Sequence, residues 1–158
     1  MFTKFLISIF LLLSCQLQDK ALSKTESKAE NMNCLLKTGW YLVDYTSKGC
    51  ERKLMNNTTT YFLREVPLIT SRNVIAVEDM KFMDETPGFL ISFDPNGTKQ
   101  WEKITGSHVG DLFAFVLNDT LLTVYLNTAK ISTGKTFFPL HNRTIAELQR
   151  IKKAIMAK

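Results

Sequence analysis

The sequence predicts an α+β domain: an antiparallel sheet with two helices packed on one face. Three observations carry that expectation. Asp111–Leu117 (DLFAFVL) and Thr120–Asn127 (TLLTVYLN) are apolar, strand-like runs separated by Asn118 and Asp119, a pair suited to a tight hairpin turn. After Gly88–Asp94 (GFLISFD) the apolar period changes from two to between three and four, so Trp101, Ile104 and Thr105 share one face of a short helix over Gly97–Thr105. Near the C-terminus Thr144 precedes Glu147 by three positions, the capping-box spacing, and Leu148, Ile151 and Ile155 then recur at helical intervals.

In chain order, the first element is not part of the domain. Residues 1–14 hold one Lys and the apolar run FLISIFLLL, too short to span a bilayer, which takes about 20 apolar residues. The segment reads as a secretory signal. Cys15 directly follows LLS and resembles the lipidation site of a bacterial lipobox, with Leu12 and Ser14 fitting and Leu13 bulkier than usual. The expectation is a lipidated Cys15 that places the bilayer among the partners, with ordinary secretion as the alternative. Residues 15–34 are polar and rich in Lys, Glu and Ser, a composition that buries too little surface to fold and suits a flexible tether. The domain then occupies 35–158. In an oxidising compartment Cys34 and Cys50 form a candidate disulfide stapling the first strand region to the following turn; unpaired small hydrophobes are the other reading.

Gly39–Tyr45 (GWYLVDY) reads as a strand and Thr46–Thr59 as a turn-rich excursion. Thr59–Ile69 reads as a second strand that ends or bends at Pro67, and Val74–Val77 as a short extended stretch before the DETPG turn. Asp94 or Asn96 caps the first helix, and Gly106 and Gly110 bracket the loop that leaves it. Lys135–Leu140 reads as a short edge strand limited by Pro139. Five Asn-x-Ser/Thr sequons, at Asn56, Asn57, Asn96, Asn118 and Asn142, are read as turn and surface residues.

Composition restricts function without assigning it. The chain has 158 residues, 45% apolar, with a net charge of +5, and its Lys and Arg are scattered, which argues against nucleic acid as a partner. Ser107 beside His108 is no nucleophile–base pair by adjacency alone, and no G-x-S-x-G elbow occurs. Ser132–Thr136 (STGKT) ends like a phosphate-binding loop, but Ala129 stands where that motif needs glycine. His108 and His141 have no ligand-type spacing with a cysteine. No catalytic, cofactor-binding or metal-ligating residue is assigned, no cofactor is expected, and the protein is read as non-enzymatic.

The stretch from Gly88 to Asn127 nevertheless resembles a known family. Phe93, Asp94, Gly97, Trp101, Thr105, Val109 and Gly110, followed by the apolar runs Leu112–Leu117 and Leu121–Val124, match the pattern of the periplasmic head subdomain of SecD, the accessory subunit of bacterial protein export. There a strand leads into D-x-x-G-x-x-x-[FW] and T-x-x-x-V-G, and then into two apolar strands. The similarity covers about Tyr61 to Ile155. It departs at Val124–Asn127, where the family's usual continuation is missing, and in the lack of the export machinery's helix bundle. The resemblance implies a SecD-head-like fold in which Asp94, Gly97, Trp101, Thr105, Val109 and Gly110 are structural. It also implies a freestanding envelope lipoprotein, facing the periplasm or exterior, that binds a protein or an unfolded peptide. A small-ligand-binding lipoprotein is the alternative, and it requires a concave apolar pocket with convergent polar groups.

Overall fold

The computed structural model describes residues 34–82 and 84–157. The expected signal at 1–14, the lipidation at Cys15 and the tether up to residue 33 lie outside the described residues. In chain order the elements are β1 (Gly39–Leu42), β2 (Cys50–Lys53), β3 (Thr60–Leu63), β4 (Ile69–Thr70), a 3-10 turn (Ser71–Asn73), β5 (Val74–Lys81), β6 (Pro87–Phe93), α1 (Pro95–Ser107), β7 (Leu112–Leu117), β8 (Thr120–Leu126), β9 (Lys135–Pro139) and α2 (Ile145–Met156). The α+β class, with antiparallel strands and two helices packed on them, is as the sequence predicts. The strands, however, divide into three sheets, ordered β4-β1-β7-β8, β2-β3 and β5-β6-β9.

Alternation along the strands explains how these sheets stack. Trp40 and Leu42 of β1 and Phe113, Phe115 and Leu117 of β7 join one apolar cluster with Phe89, Ile91 and Phe138 of the three-stranded sheet and Trp101, Ile151 and Ile155 of the helices. The residues between them, Tyr41, Ala114 and Val116, join Leu36, Cys50, Leu63 and Leu121 in a second cluster. The central strands are therefore buried on both faces, which is why β1 and β7 read as nearly continuous apolar runs. Each fully buried large side chain contributes about 1.5–3 kcal/mol relative to its exposed state.

Local chemistry sets the element ends. The Asp94 side chain accepts the Gly97 N–H at 2.6 Å and caps α1, while Pro95, in the first turn, forfeits only an N–H that the helix leaves unpaired. Thr144 and Glu147 form the reciprocal capping box of α2. Asn118 and Asp119 adopt φ of 46° and 68°, the left-handed pair that a two-residue hairpin turn requires. Asn56 and Asn142 also have positive φ, as turn asparagines do.

Three expectations need correction. The Thr46–Thr59 excursion contains β2, whose register pairs Cys50 with Leu63 and Lys53 with Thr60. Its charged residues hid it, because Glu51 and Lys53 are exposed while Cys50 is buried and Arg52 half-buried. The Thr59–Ile69 strand ends at Leu63, before Pro67, because the chain leaves β2 there for the other edge of β1. The Arg64 N–H donates to the Leu42 carbonyl at 3.0 Å and the Leu68 N–H to the Trp40 carbonyl at 2.7 Å. Val74–Val77 extends to Lys81, since pairing with β6 continues to Pro87.

Candidate functional site

The motif around α1 forms a continuous structural unit for most of its length. Trp101 is 0% exposed and lies 5.5 Å from Trp40, 5.4 Å from Phe93 and 5.6 Å from Phe113 by ring centroids. Gly97 is needed for clearance, because a Cβ there would stand 2.7 Å from the Asn73 Cβ. The hydroxyl of Thr105, also fully buried, donates to the Trp101 carbonyl and accepts from the Ile131 N–H, each at 2.8 Å. Gly110 has φ of 92° and donates its N–H to the Asn127 carbonyl at 2.8 Å. Val109 stands apart, with its side chain 56% exposed. Asn127, not singled out from the sequence, completes the unit: its buried amide donates to the Thr105 and His108 carbonyls at 2.8 Å each. A polar residue ending a strand carries no sequence signal of that task.

A second assembly fastens the start of the domain. Cys34 and Cys50 are joined, with Cα atoms 6.0 Å apart. Arg52 donates to the Cys34 carbonyl and pairs with Asp119 in the β7–β8 turn, and Asp119 also accepts the Leu36 N–H at 2.8 Å. Desolvation pushes the Asp119 pKa up, but the hydrogen bonds from Arg52 and Leu36 and the Arg52 charge together outweigh it and hold the carboxyl below its ordinary value. A hollow of about 510 Å³ opens beside this assembly, lined by Leu35–Thr38, Thr70–Arg72 and the turn.

Among the described residues, the outer side of the β5-β6-β9 sheet is partly exposed. Its inner side chains, Val77, Phe89, Ile91 and Phe138, are in the core. Its outer side carries Met80, Leu90, Pro139 and Phe137, the last 45% exposed. Register places Leu90 beside Phe137 and Met80 beside Gly88. Just beyond β5, the Phe82 ring meets Phe137 edge to face, with centroids 6.3 Å apart. Gly88 makes room for it, since a Cβ there would stand 2.7 Å from Phe82 Cε2. Glu78 and Lys135 lie exposed around this apolar strip. Among the described residues β5 pairs only with β6, so one edge of an eight-residue strand keeps its backbone donors and acceptors available.

Among the described residues, the candidate catalytic groups do not form a comparable assembly. The Ser107 hydroxyl donates to the Lys103 carbonyl of its own helix at 2.9 Å, while His108 Nδ1 faces Asp111 at 2.9 Å. Among the described residues no group of three or more His, Cys, Asp or Glu is placed to hold a metal ion. No helix among them is long and apolar enough to cross a membrane.

The arrangement is an α+β fold, and solved structures share it. No protein-family profile matches the chain, and no curated protein matches it either. Two solved structures of SecDF do share its fold. The first, described as a membrane component that enhances protein export, superposes with a TM-score of 0.61 at 15% identity over 77% of this chain and 63% of its own. The second, SecDF in a super-membrane-facing form, gives 0.61 at 17% identity over 74% of this chain. This chain thus spans less than two thirds of the first and 18% of the second.

Proposed function

We propose that this protein is a non-enzymatic envelope lipoprotein, tethered through Cys15, that binds extended polypeptide on the outer side of the β5-β6-β9 sheet. The observation that carries the reading is the strip of half-buried Met80, Phe82 and Leu90 with exposed Phe137, on a sheet whose β5 edge is unpaired among the described residues. An extended segment has two ways to dock here. One stretch of its backbone adds to the free edge of β5, and the apolar side chains of a neighbouring stretch rest on the strip, which ends at Phe137 of β9 two strands away. Folded proteins keep most such side chains inside, so the partner this surface favours is a chain not yet folded. The fold likeness to a protein described as enhancing protein export supports the same reading, although fold alone does not fix function. Asp94, Gly97, Trp101, Thr105 and Gly110 serve as scaffold in this reading.

The hollow of about 510 Å³ beside Leu36 and Asp119 favours the small-ligand alternative, but it is half open to solvent rather than enclosed. Titrating the chain into a fluorescently labelled, permanently unfolded polypeptide tests the main reading. The expected result is saturable binding that Phe137→Asp weakens about tenfold or more, as a charge on the strip would. Phe137 is half-exposed, so the fold should survive the change. Equal binding by wild type and Phe137→Asp would exclude this surface.

A further inference from the structure

A different hollow, of about 230 Å³, lies where the β2–β3 turn, strand β8 and the β9–α2 loop meet. Leu54–Asn57, Leu122–Val124 and His141–Arg143 line it. Among the described residues the Nε and Nη1 atoms of Arg143 are buried there with no hydrogen-bond partner, and Nη2 reaches only the Met55 carbonyl, at 3.5 Å. A guanidinium cannot shed its proton, so burying it unpaired is costly. The nearby Glu147 carboxylate feels the Arg143 charge, which helps to lower its pKa. Its Oε2 accepts both the N–H and the hydroxyl of Thr144 at 2.8 Å in the α2 cap, and no hydrogen bond among the described residues joins it to the guanidinium.

The other groups around the hollow add donors. The Asn57 carbonyl oxygen accepts from the Thr59 N–H and hydroxyl at 3.0 Å, leaving its amide N–H groups for other partners. Asn56 and Asn142 stand at the rim in left-handed turns, and His141 is exposed beside them. Arg143 immediately precedes the N-cap of α2, where the helix dipole also favours negative charge. Donors thus come from two segments, the β2–β3 turn and the β9–α2 loop, around a fixed guanidinium fork that suits an oxyanion. The volume is ample for one such group.

We propose that this hollow is a phosphate-binding site centred on Arg143, taking either a free phosphate or the phosphate of a lipid headgroup. An NMR titration of the full chain with inorganic phosphate, at ionic strength held constant with chloride, tests it. The expected result is saturable shifts of the Asn56, Asn57 and Asn142 amides and of Arg143 Nε–H, with the amide shifts abolished in Arg143→Gln. His141→Ala, at an exposed position, keeps the test usable if that variant unfolds, and should weaken phosphate binding several-fold. Flotation with vesicles of phosphatidylcholine, with and without phosphatidylglycerol, separates the two sources. Binding to the anionic vesicles that Arg143→Gln abolishes assigns a lipid phosphate, whereas saturation by inorganic phosphate without such binding assigns a free one. Absence of both, or equal responses in wild type and the Arg143 and His141 variants, would overturn the proposal.

Discussion

Two glycines of α1 respond to the same substitution in opposite directions. Alanine in a helix interior is favoured over glycine by about 1 kcal/mol. At Gly97 the added methyl would meet the Asn73 Cβ at 2.7 Å and the Phe93 Cβ at 3.1 Å, atoms next to backbone that cannot swing away. Overpacking of about 1–3 kcal/mol then outweighs the propensity gain, so Gly97→Ala should lower stability in urea denaturation. At Gly106 the nearest atoms are the Lys130 Cγ and Cδ at 3.3 Å, part of a flexible side chain, and Gly106→Ala should raise stability by about 0.5–1 kcal/mol. Asp119 gives a pH test. Its folded pKa is depressed, so its contribution is present above the unfolded value of about 3.9 and is lost as pH falls through the folded value. Asp119→Asn should therefore destabilise at pH 7, and its difference from wild type should shrink when melts are repeated near pH 2.5. A constant difference across that range would show that the turn is held by geometry rather than charge.

Among the elements, those built from local signals were legible in the sequence. The hairpin β7–β8 announced itself by its Asn-Asp turn, and α2 by its capping box, because each depends on residues close in sequence. α1 grew at both ends of the predicted Gly97–Thr105, once Asp94 capped it and Pro95 opened it. β2 stayed hidden, since its strand character lies in a long-range pairing with β3 and not in its charged composition. The outer strip was only half legible. Phe137 was placed in a strand, but whether that face packs on helices or lies open depends on pairing with β6, which local pattern does not reveal. The disulfide belongs to this scale too. It closes a loop with a sequence separation of 16, and in the chain-entropy account such a loop contributes about 3 kcal/mol. The double variant Cys34→Ser, Cys50→Ser should unfold at lower urea, with a change of that order, and an unchanged midpoint would mean that Arg52 and Asp119 alone hold the segment.

For the whole molecule, the fold joins a two-sided central sheet to a smaller sheet with one side open. The resemblance visible around α1 pointed to that architecture because glycines, a buried Trp and a buried Thr leave a recognisable spacing. Tethering through Cys15 rests on the sequence alone, and intact-mass analysis of the mature protein from native membranes should find a diacylglyceryl or triacylglyceryl group there. An unmodified terminus would leave the open sheet without an anchor and favour a secreted binding protein. The central claim is that extended polypeptide lies along β5 and over Phe137. Photo-crosslinking tests it most directly, with benzoylphenylalanine placed singly at Phe137, at Leu90 and, as a control on α1, at the exposed Lys99 of the full chain mixed with an unfolded polypeptide. Crosslinks at Phe137 and Leu90, and none above background at Lys99, are the expected result. Crosslinks at Lys99 alone, or equal yields at all three positions, would contradict it.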